Sequence, residues 1–406
     1  MERIVFLLLF YFFLNISFSQ IQKQWISDLD TLKHSFLEKE QLFKHCSKQQ
    51  FIDKLEQLKK TNPKNLEEQY WLITDVLNLF KQPIIQIKEA NFGHLPFRVR
   101  EFNGNYYLTR ISLDFENNLG AKIQKINETD IFKLLQKTQN IEHLSIKSFL
   151  EHYQFNKTDT LRLNIQTNVN QLINIDLKTI NDDGLLATIH PKKTPFYLQK
   201  QDRWFWSYGI NYGQQMYFKL NRGLSKEFLK QVKDSLQLSD YQLAKRYHIR
   251  LQEVYDAPKF NDFTEKLFQK FKKRRYKKLF IDVRNLKIGD TKMLILFIDK
   301  LQKLKRINRK SRLFIFVDKQ LSFAAMNIAL YFKQHTNATI VGEKLTQTAC
   351  NTNQINELIL PNSNFYIRYP NHDFKAVQIE PKIKAVHTFE QFVNGIDPIL
   401  QKVIEE

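Results

Sequence analysis

The chain has 406 residues, of which 43% are hydrophobic and 13% aromatic, and this composition excludes an intrinsically disordered protein. Its two cysteines, Cys46 and Cys350, exclude a disulfide-rich scaffold, and whether they pair with each other stays open. The formal net charge of +20 is compatible with an anionic partner. Because Lys, Asn, Ile and Phe are abundant together while Gly is scarce, we favour a general compositional bias as its source.

The N-terminus has the residue order of a secretory signal peptide. Glu2 and Arg3 precede an apolar run from Ile4 to Leu14, and small and polar residues follow as far as Gln20. We predict a signal peptide over residues 1–20 and export to the periplasm or the cell exterior. The apolar run is shorter than the roughly 20 residues of a membrane-spanning helix, and no later segment is long and apolar enough to span. An uncleaved N-terminal anchor is the alternative.

A small helical domain is predicted over residues 21–82. Apolar residues recur at helical spacing from Trp25 to Phe36 and again from Leu66 to Phe80. Ser47 and Gln50 have the spacing of a capping box and predict the start of another helix between these two.

After Pro83 the hydrophobic period becomes alternating, which predicts a β-rich region over residues 83–195. Asn103 and Gly104 lie between two such runs and predict a hairpin with a tight turn. The remaining predicted elements of this region are a helix at 130–137 and strands at 161–165 and 172–177.

Residues 196–406 are predicted to form an α/β domain. Short runs that are apolar on both faces alternate with helical patterns, which indicates a parallel-type sheet covered by helices. The predicted strands are 279–283, 313–317 and 339–341, and the predicted helices are 293–304 and 323–332. Chemistry in such sheets gathers at the carboxyl ends of the strands.

Two further features of this domain have competing interpretations. The basic run from Lys270 to Lys278 fits a solvated face better than a binding patch, because no aromatic residues expected to be exposed are interleaved with it. The aromatic segment Trp204–Trp206, with Tyr208 and Tyr212, fits a core better than a stacking platform for sugar or peptide.

Six ordered sequence blocks resemble the tail-specific, or C-terminal processing, serine peptidases. They are Leu279–Asn285, Phe316–Asn327, Ile340–Glu343, Leu360–Asn362, Ile379–Pro381 and Gly395–Pro398. The resemblance implies an α/β fold with a crotonase- and Clp-protease-like core, in which helices flank a mixed sheet. It also implies a preceding helical domain and a reduced PDZ-like, β-rich region around Gly120–Asn127.

The resemblance implies a serine nucleophile at the start of a helix that follows a strand. Aligned on Ala325–Asn327, that position holds Phe323, and a phenyl ring cannot attack a carbonyl. Many members use a lysine as general base, whose position here holds Thr348. Relatives closer to the tricorn core use a histidine from the helical region, whose position holds Gln82.

The oxyanion turn has changed as well. The family places Asn-Gly-Gly where this chain has Leu286, Lys287 and Ile288, and only Gly289 remains. Glycines at such a turn allow the backbone donors to approach an oxyanion closely, and side chains would block that approach.

Three functions stay open at this point. The first is an inactive peptidase relative that binds a peptide or protein. The second is an active serine peptidase with a rearranged site that uses Ser322 and Lys344, although a serine at that place also suits a helix N-cap. The third is an anion-binding envelope protein. The sequence indicates no cofactor, no metal site and no specific nucleic-acid partner, and it leaves the oligomeric state open.

Overall fold

The computed structural model describes residues 2–82, 85–88, 96–136, 141–142, 160–178, 186–247, 249–286, 288–319, 321–345, 355–370 and 379–405. The chain divides into two compact units. The first comprises Met1–Ile189 with Gln354–Phe374, and the second comprises His190–Asn353 with Lys375–Glu406.

The first unit begins with three helices packed around aromatic side chains. They are α1 (Glu2–Leu37), α2 (Lys48–Lys59) and α3 (Leu66–Asn78). The buried ring of Phe36 lies 5.9 Å from that of Phe51 and 5.5 Å from that of Phe80. Ser47 and Gln50 form the predicted capping box at the start of α2.

Helix α1 runs without a break past residue 20, so cleavage there stays a prediction. In the part of the chain that the structure describes, no helix is both long and apolar enough to cross a membrane. Cys46 is buried, and Cys350 lies outside the described residues.

The β-rich part of the first unit contains the predicted hairpin. Strands β1 (Gln86–Lys88), β2 (Phe97–Phe102) and β3 (Asn105–Ser112) come first, and β2 pairs with β3 around Asn103 and Gly104. Both turn residues have positive φ, 46° and 75°, as tight hairpin turns require.

The other elements of this part complete one large sheet. They are β4 (Lys122–Ile126), β5 (Thr129–Asp130), α4 (Ile131–Gln136), β6 (Ile141–Glu142), β7 (Thr160–Gln166), β8 (Leu172–Lys178) and β9 (Leu186–Thr188). The sheet has the order β2-β3-β4-β7-β8, with β5 paired to β4 and β9 paired to β3. Its likeness to a PDZ domain stays a prediction.

A second sheet of the first unit joins distant parts of the sequence. Strands β15 (Ile355–Ile359) and β16 (Tyr366–Pro370) form a hairpin, and β16 pairs antiparallel with β1. The order is β15-β16-β1-β6. The two residues after Leu360–Pro361, Asn362 and Ser363, donate backbone N–H groups to Asp28 of α1, each at 2.8 Å.

The second unit is built on one mixed sheet of six strands. They are β10 (Phe205–Ile210), β11 (Gln215–Leu220), β12 (Lys278–Asp282), β13 (Leu313–Val317), β14 (Thr339–Gly342) and β17 (Ile383–Lys384). The order is β10-β11-β12-β13-β14-β17, in which β10 and β11 are antiparallel and all other neighbours are parallel. The predicted mixed α/β architecture is confirmed.

Helices follow the strands of this sheet. They are α5 (Lys226–Leu236), α6 (Asp240–Arg246), α7 (Leu251–Tyr255), α8 (Phe260–Lys273), α9 (Ile295–Lys303), α10 (Phe323–His335), α11 (Phe389–Val393) and α12 (Pro398–Ile404). A 3₁₀ turn, Thr291–Leu294, occupies the start of the helix predicted at 293–304.

The aromatic segment of the second unit divides between core and surface. Trp204, Phe205 and Trp206 are buried, as the core interpretation predicts. Tyr208 and Tyr212 are exposed, so the aromatic cluster reaches the surface at the β10–β11 connection.

Candidate functional site

The strand-to-helix turn after β13 is the place where the family resemblance puts its nucleophile. Strand β13 ends at Val317, and the backbone of Phe323 opens α10. Phenylalanine therefore occupies the first helical residue after the strand, which is the location the resemblance assigns to a serine.

The hydroxyl of Ser322 caps α10. Its Oγ accepts a hydrogen bond from the backbone N–H of Ala325 at 3.2 Å, as an N-cap residue does. The same hydroxyl donates its proton to the backbone carbonyl of Leu286. A serine nucleophile needs a base on that proton, and a carbonyl oxygen is not one.

The turn that follows β12 supplies this carbonyl. Asn285 is left-handed, with φ of 59°, and the buried Leu286 donates its N–H to the carbonyl of Val283 at 3.3 Å. Lys287 lies outside the described residues. The altered turn is thus held against the N-terminus of α10 by Ser322.

Gly289, which the resemblance assigns to the oxyanion turn, is packed against Gly223. A Cβ on Gly289 would stand 2.6 Å from the Cα of Gly223. The N–H of Gly223 donates to the carbonyl of Ile288 at 2.7 Å, and its carbonyl accepts from the N–H of Asp290 at 3.0 Å. These backbone groups are engaged with each other, so close packing by itself accounts for the glycine.

Neither candidate for a lysine base in this part of the chain is a buried lysine in the described structure. Lys344 is exposed, and Thr348 lies outside the described residues. Glu343, beside Lys344, is buried and accepts backbone hydrogen bonds from His387 at 3.3 Å and Lys319 at 3.4 Å. Burial raises the pKa of this carboxyl group.

Gln82 lies in the first unit, where its side chain makes hydrogen bonds to the backbone. Its amide donates to the carbonyl of Leu42 at 2.9 Å and to that of Gln41 at 3.3 Å. The side chain is buried. The residue that the resemblance aligns with a histidine base therefore holds the segment after α1.

The site also contains a buried charge cluster that the sequence did not reveal. Arg284 donates to Asp282 and Asp397, with Nη2 2.6 Å from one carboxylate and 2.8 Å from the other. The hydroxyl of Tyr217 donates to Asp282 at 2.5 Å. The ammonium of Lys219 donates to the carbonyl of Arg284 and lies 3.7 Å from Asp282. All five side chains are buried.

Burial and charge oppose each other within this cluster. Burial, countered by the carboxylate of Asp282, lowers the pKa of Lys219 to about 8. Burial disfavours ionised Asp282, but the charges of Arg284 and Lys219 outweigh it and hold its pKa below the usual value. Burial and the Asp282 charge raise the pKa of Tyr217 well above its usual value.

The cluster positions the turn after β12, and its side chains are buried. Lys219 holds the carbonyl of Arg284, which lies two residues before Leu286. Asp397 caps α12 by accepting from the N–H of Leu400 at 3.2 Å, so the cluster also fixes this helix. Asp282 and Arg284 lie in a recognised sequence block, whereas Lys219 stands in a strand whose every residue is buried.

No family model matches the sequence, and no curated protein matches it. Among solved structures, mature CPAF is 11% identical, covers 95% of this chain and 99% of its own, and superposes with a TM-score of 0.58. CPAF in complex with lactacystin matches at 11% identity, 95% and 98% coverage and a TM-score of 0.56. This chain has the CPAF fold. The photosystem II D1 C-terminal processing protease also matches, at 12% identity over 93% and 98% of the two chains, with a TM-score of 0.38.

The CPAF fold extends over nearly the whole chain and confirms, at the level of fold, the resemblance read from six short blocks. Within that fold, Phe323 is the first residue of α10, and the Ser322 hydroxyl donates a hydrogen bond to the Leu286 carbonyl. Gly289 is packed against a second glycine. Among the described groups of His, Cys, Asp and Glu, none could hold a metal ion.

Proposed function

We propose that this chain is an exported pseudopeptidase, a protein with a peptidase fold that binds peptide or protein segments without cleaving them. One observation carries the loss of catalysis. The only hydroxyl at the start of α10 donates to the Leu286 carbonyl, while the first helical position holds Phe323.

The rearranged alternative, with Ser322 attacking and Lys344 as its base, lacks support from the geometry. Burial is what turns a lysine into a base, because it disfavours the ammonium, and Lys344 is exposed. To attack, Ser322 would also have to give up its hydrogen bond to Leu286 and its capping bond from Ala325.

The binding half of the proposal rests on the fold. CPAF has been solved with lactacystin bound, and its fold extends over 95% of this chain. A peptidase that loses its nucleophile keeps whatever contacts bind the chain, since binding and bond cleavage use different groups. The export half rests on the N-terminal charged and apolar order.

The catalytic half is tested with a serine-reactive fluorophosphonate on the purified chain, beside an active serine peptidase as positive control. We expect no label on the wild type, on Ser322→Ala or on Lys344→Ala. Labelling that Ser322→Ala abolishes would establish the rearranged site and overturn the pseudopeptidase.

The binding half is tested by fluorescence anisotropy with labelled unstructured peptides that end in a free carboxylate or in an amide. We expect saturable binding, with the peptides intact by mass spectrometry afterwards. Titrations without saturation up to millimolar peptide would refute binding, and cleaved peptides would refute inactivity. The two halves can therefore fail separately.

A further inference from the structure

The basic run at residues 270–278 lies next to a second basic run, at residues 303–312, in the folded chain. Strands β11, β12 and β13 are parallel, with Gln215 opposite Lys278 and Leu279 opposite Leu313. The segments that lead into these strands therefore meet at one edge of the sheet. They are the β10–β11 turn at 211–214, the run at 270–278 and the run at 303–312, which together we call the basic edge.

The three segments of the basic edge together contain positively charged residues and no acidic ones. Residues 270–278 contain seven Lys and Arg residues and residues 303–312 contain six, with no Asp or Glu in either run. Ten of these thirteen residues are exposed, namely Lys270, Lys272, Lys273, Arg274, Arg275, Lys277, Lys303, Lys305, Arg309 and Lys310. Among the described residues, the nearest ion pair in sequence is Lys300 with Glu265, outside both runs.

Backbone contacts fix the two runs to each other. The N–H of Leu279 donates to the carbonyl of Arg312 at 2.7 Å. The guanidinium of Arg306 donates to the carbonyl of Phe271 at 2.6 Å, at the end of α8. The guanidinium groups of Arg309 and Arg312 also donate to backbone carbonyls, those of Lys305 and Arg306. Neutral carbonyls leave the positive charge of these arginines uncompensated.

An aromatic side chain stands at the rim of this surface. Tyr212 is fully exposed, in a turn whose residues Asn211, Tyr212 and Gly213 are all left-handed, with φ of 54°, 54° and 78°. The N–H of Lys277 donates to the carbonyl of Gln214 at 2.6 Å, which ties the turn to the first basic run. The Nη1 of Arg274 lies 3.4 Å from where a Cβ on Gly213 would stand.

We propose that the basic edge binds the surface of a membrane that contains anionic phospholipids. Lysines and arginines spread over two neighbouring surface segments suit a planar array of phosphates, and long basic side chains can lie along such a surface. An exposed tyrosine beside them suits the headgroup level, where amphipathic rings collect. The predicted export signal favours lipid over nucleic acid.

Membrane binding at this edge leaves the candidate site free. Ser322 follows the carboxyl end of β13, whereas the basic edge lies at the amino ends of β12 and β13. The proposal therefore goes beyond the peptide-binding function and does not depend on it.

The test is co-sedimentation of the full chain with sucrose-loaded vesicles of phosphatidylcholine, with or without 30% phosphatidylglycerol. We expect binding only with phosphatidylglycerol, and its loss at 0.5 M NaCl as the charges are screened. Changing Lys272, Lys273, Arg309 and Lys310 together to Gln should weaken partitioning by about 100-fold or more, since each basic residue near such a surface contributes roughly fivefold. Tyr212→Asn, which tolerates the left-handed turn, should weaken it a few-fold.

A matched control removes the same charge elsewhere in the unit. Lys226, Lys230, Lys245 and Lys384 are also exposed, and changing all four to Gln should leave binding within a few-fold of wild type. The apolar segment 4–14 is common to every variant, so the difference reports on the basic edge. Circular dichroism melts confirm that the variants are folded.

Three results would overturn the proposal. One is equal binding to vesicles with and without phosphatidylglycerol, and another is equal loss in the two quadruple variants. The third is retention on heparin, lost in the basic-edge variant, together with no vesicle binding, which would identify a sulfated polysaccharide as the ligand.

Discussion

The guanidinium of Arg284 holds the carboxylate of Asp397 in a two-pronged ion pair, with N to O distances of 2.9 and 2.8 Å across 113 residues of sequence. Both side chains are buried. The pair joins the altered turn after β12 to the N-terminus of α12, so the C-terminal helix and the candidate site form one structural element of the second unit.

Removing Asp397 should destabilise this element strongly. Asp397→Ala leaves one face of Arg284 buried without its partner, which typically costs about 3–5 kcal/mol. It also removes the cap that accepts from Leu400. We expect a lower free energy of unfolding in urea. Asp397→Asn keeps a good N-cap and should be less damaging by about 1 kcal/mol, whereas equal losses would mean that the cap is unimportant.

Lys219 should make the free energy of unfolding depend on pH in the alkaline range. Its pKa is about 8 in the folded chain, against 10.5 as the ordinary value. Between these values the unfolded chain holds a proton that the folded chain has released, so stability rises with pH. The contribution is complete above pH 10.5, is lost as the pH falls through about 8, and amounts to about 3 kcal/mol.

Tyr217 should act in the opposite direction at higher pH. Its pKa is raised well above 10 by burial and by Asp282, so its contribution to stability is present below pH 10 and is lost as the pH rises further. Urea midpoints from pH 7.5 to 11 test both effects. Lys219→Met should flatten the rise between pH 8 and 10, and Tyr217→Phe should remove part of the later fall. An unchanged rise in Lys219→Met would exclude Lys219 as its source.

Gly289 should matter for packing. The added methyl of Gly289→Ala would stand 2.6 Å from the Cα of Gly223, which forces the backbone apart, and overpacking of this kind costs about 1–3 kcal/mol. Gly104 offers a contrast, because no atom lies within 4 Å of its Cβ position and only its φ of 75° opposes a side chain. Gly104→Ala should therefore cost about 1–2 kcal/mol through backbone strain alone, without any displacement of neighbouring atoms. Equal thermal stability of Gly289→Ala and wild type would contradict the packing role.

The helices, turns and strands that the sequence predicts are indicated by residues close together in the chain. Ser47 and Gln50 mark a cap, Asn103 and Gly104 mark a hairpin, and the apolar runs near 279 and 313 are buried strands of the second unit. Each depends on residues a few positions apart, which is the range over which periodicity and turn chemistry act.

Three features that the sequence does not indicate depend on residues that are far apart in the chain. The pairing of Ile87 with Ile367 has no local signal, because any exposed strand edge would accept either strand. Lys219 has no local sequence signal, because a buried lysine is recognised only through its partners, here Asp282 and the Arg284 carbonyl. The two basic runs look separate in the sequence, and the parallel pairing of β12 with β13 brings them together.

Ser322 should contribute to stability in proportion to its two hydrogen bonds. Ser322→Ala removes the cap on α10 and the donor to Leu286, and we expect a loss of about 1–2 kcal/mol in the free energy of unfolding. Ser322→Thr keeps a hydroxyl at the same place and should recover most of it. If Ala and wild type unfold at the same urea concentration, the hydroxyl is not engaged in solution, and it would then be free to act as a nucleophile.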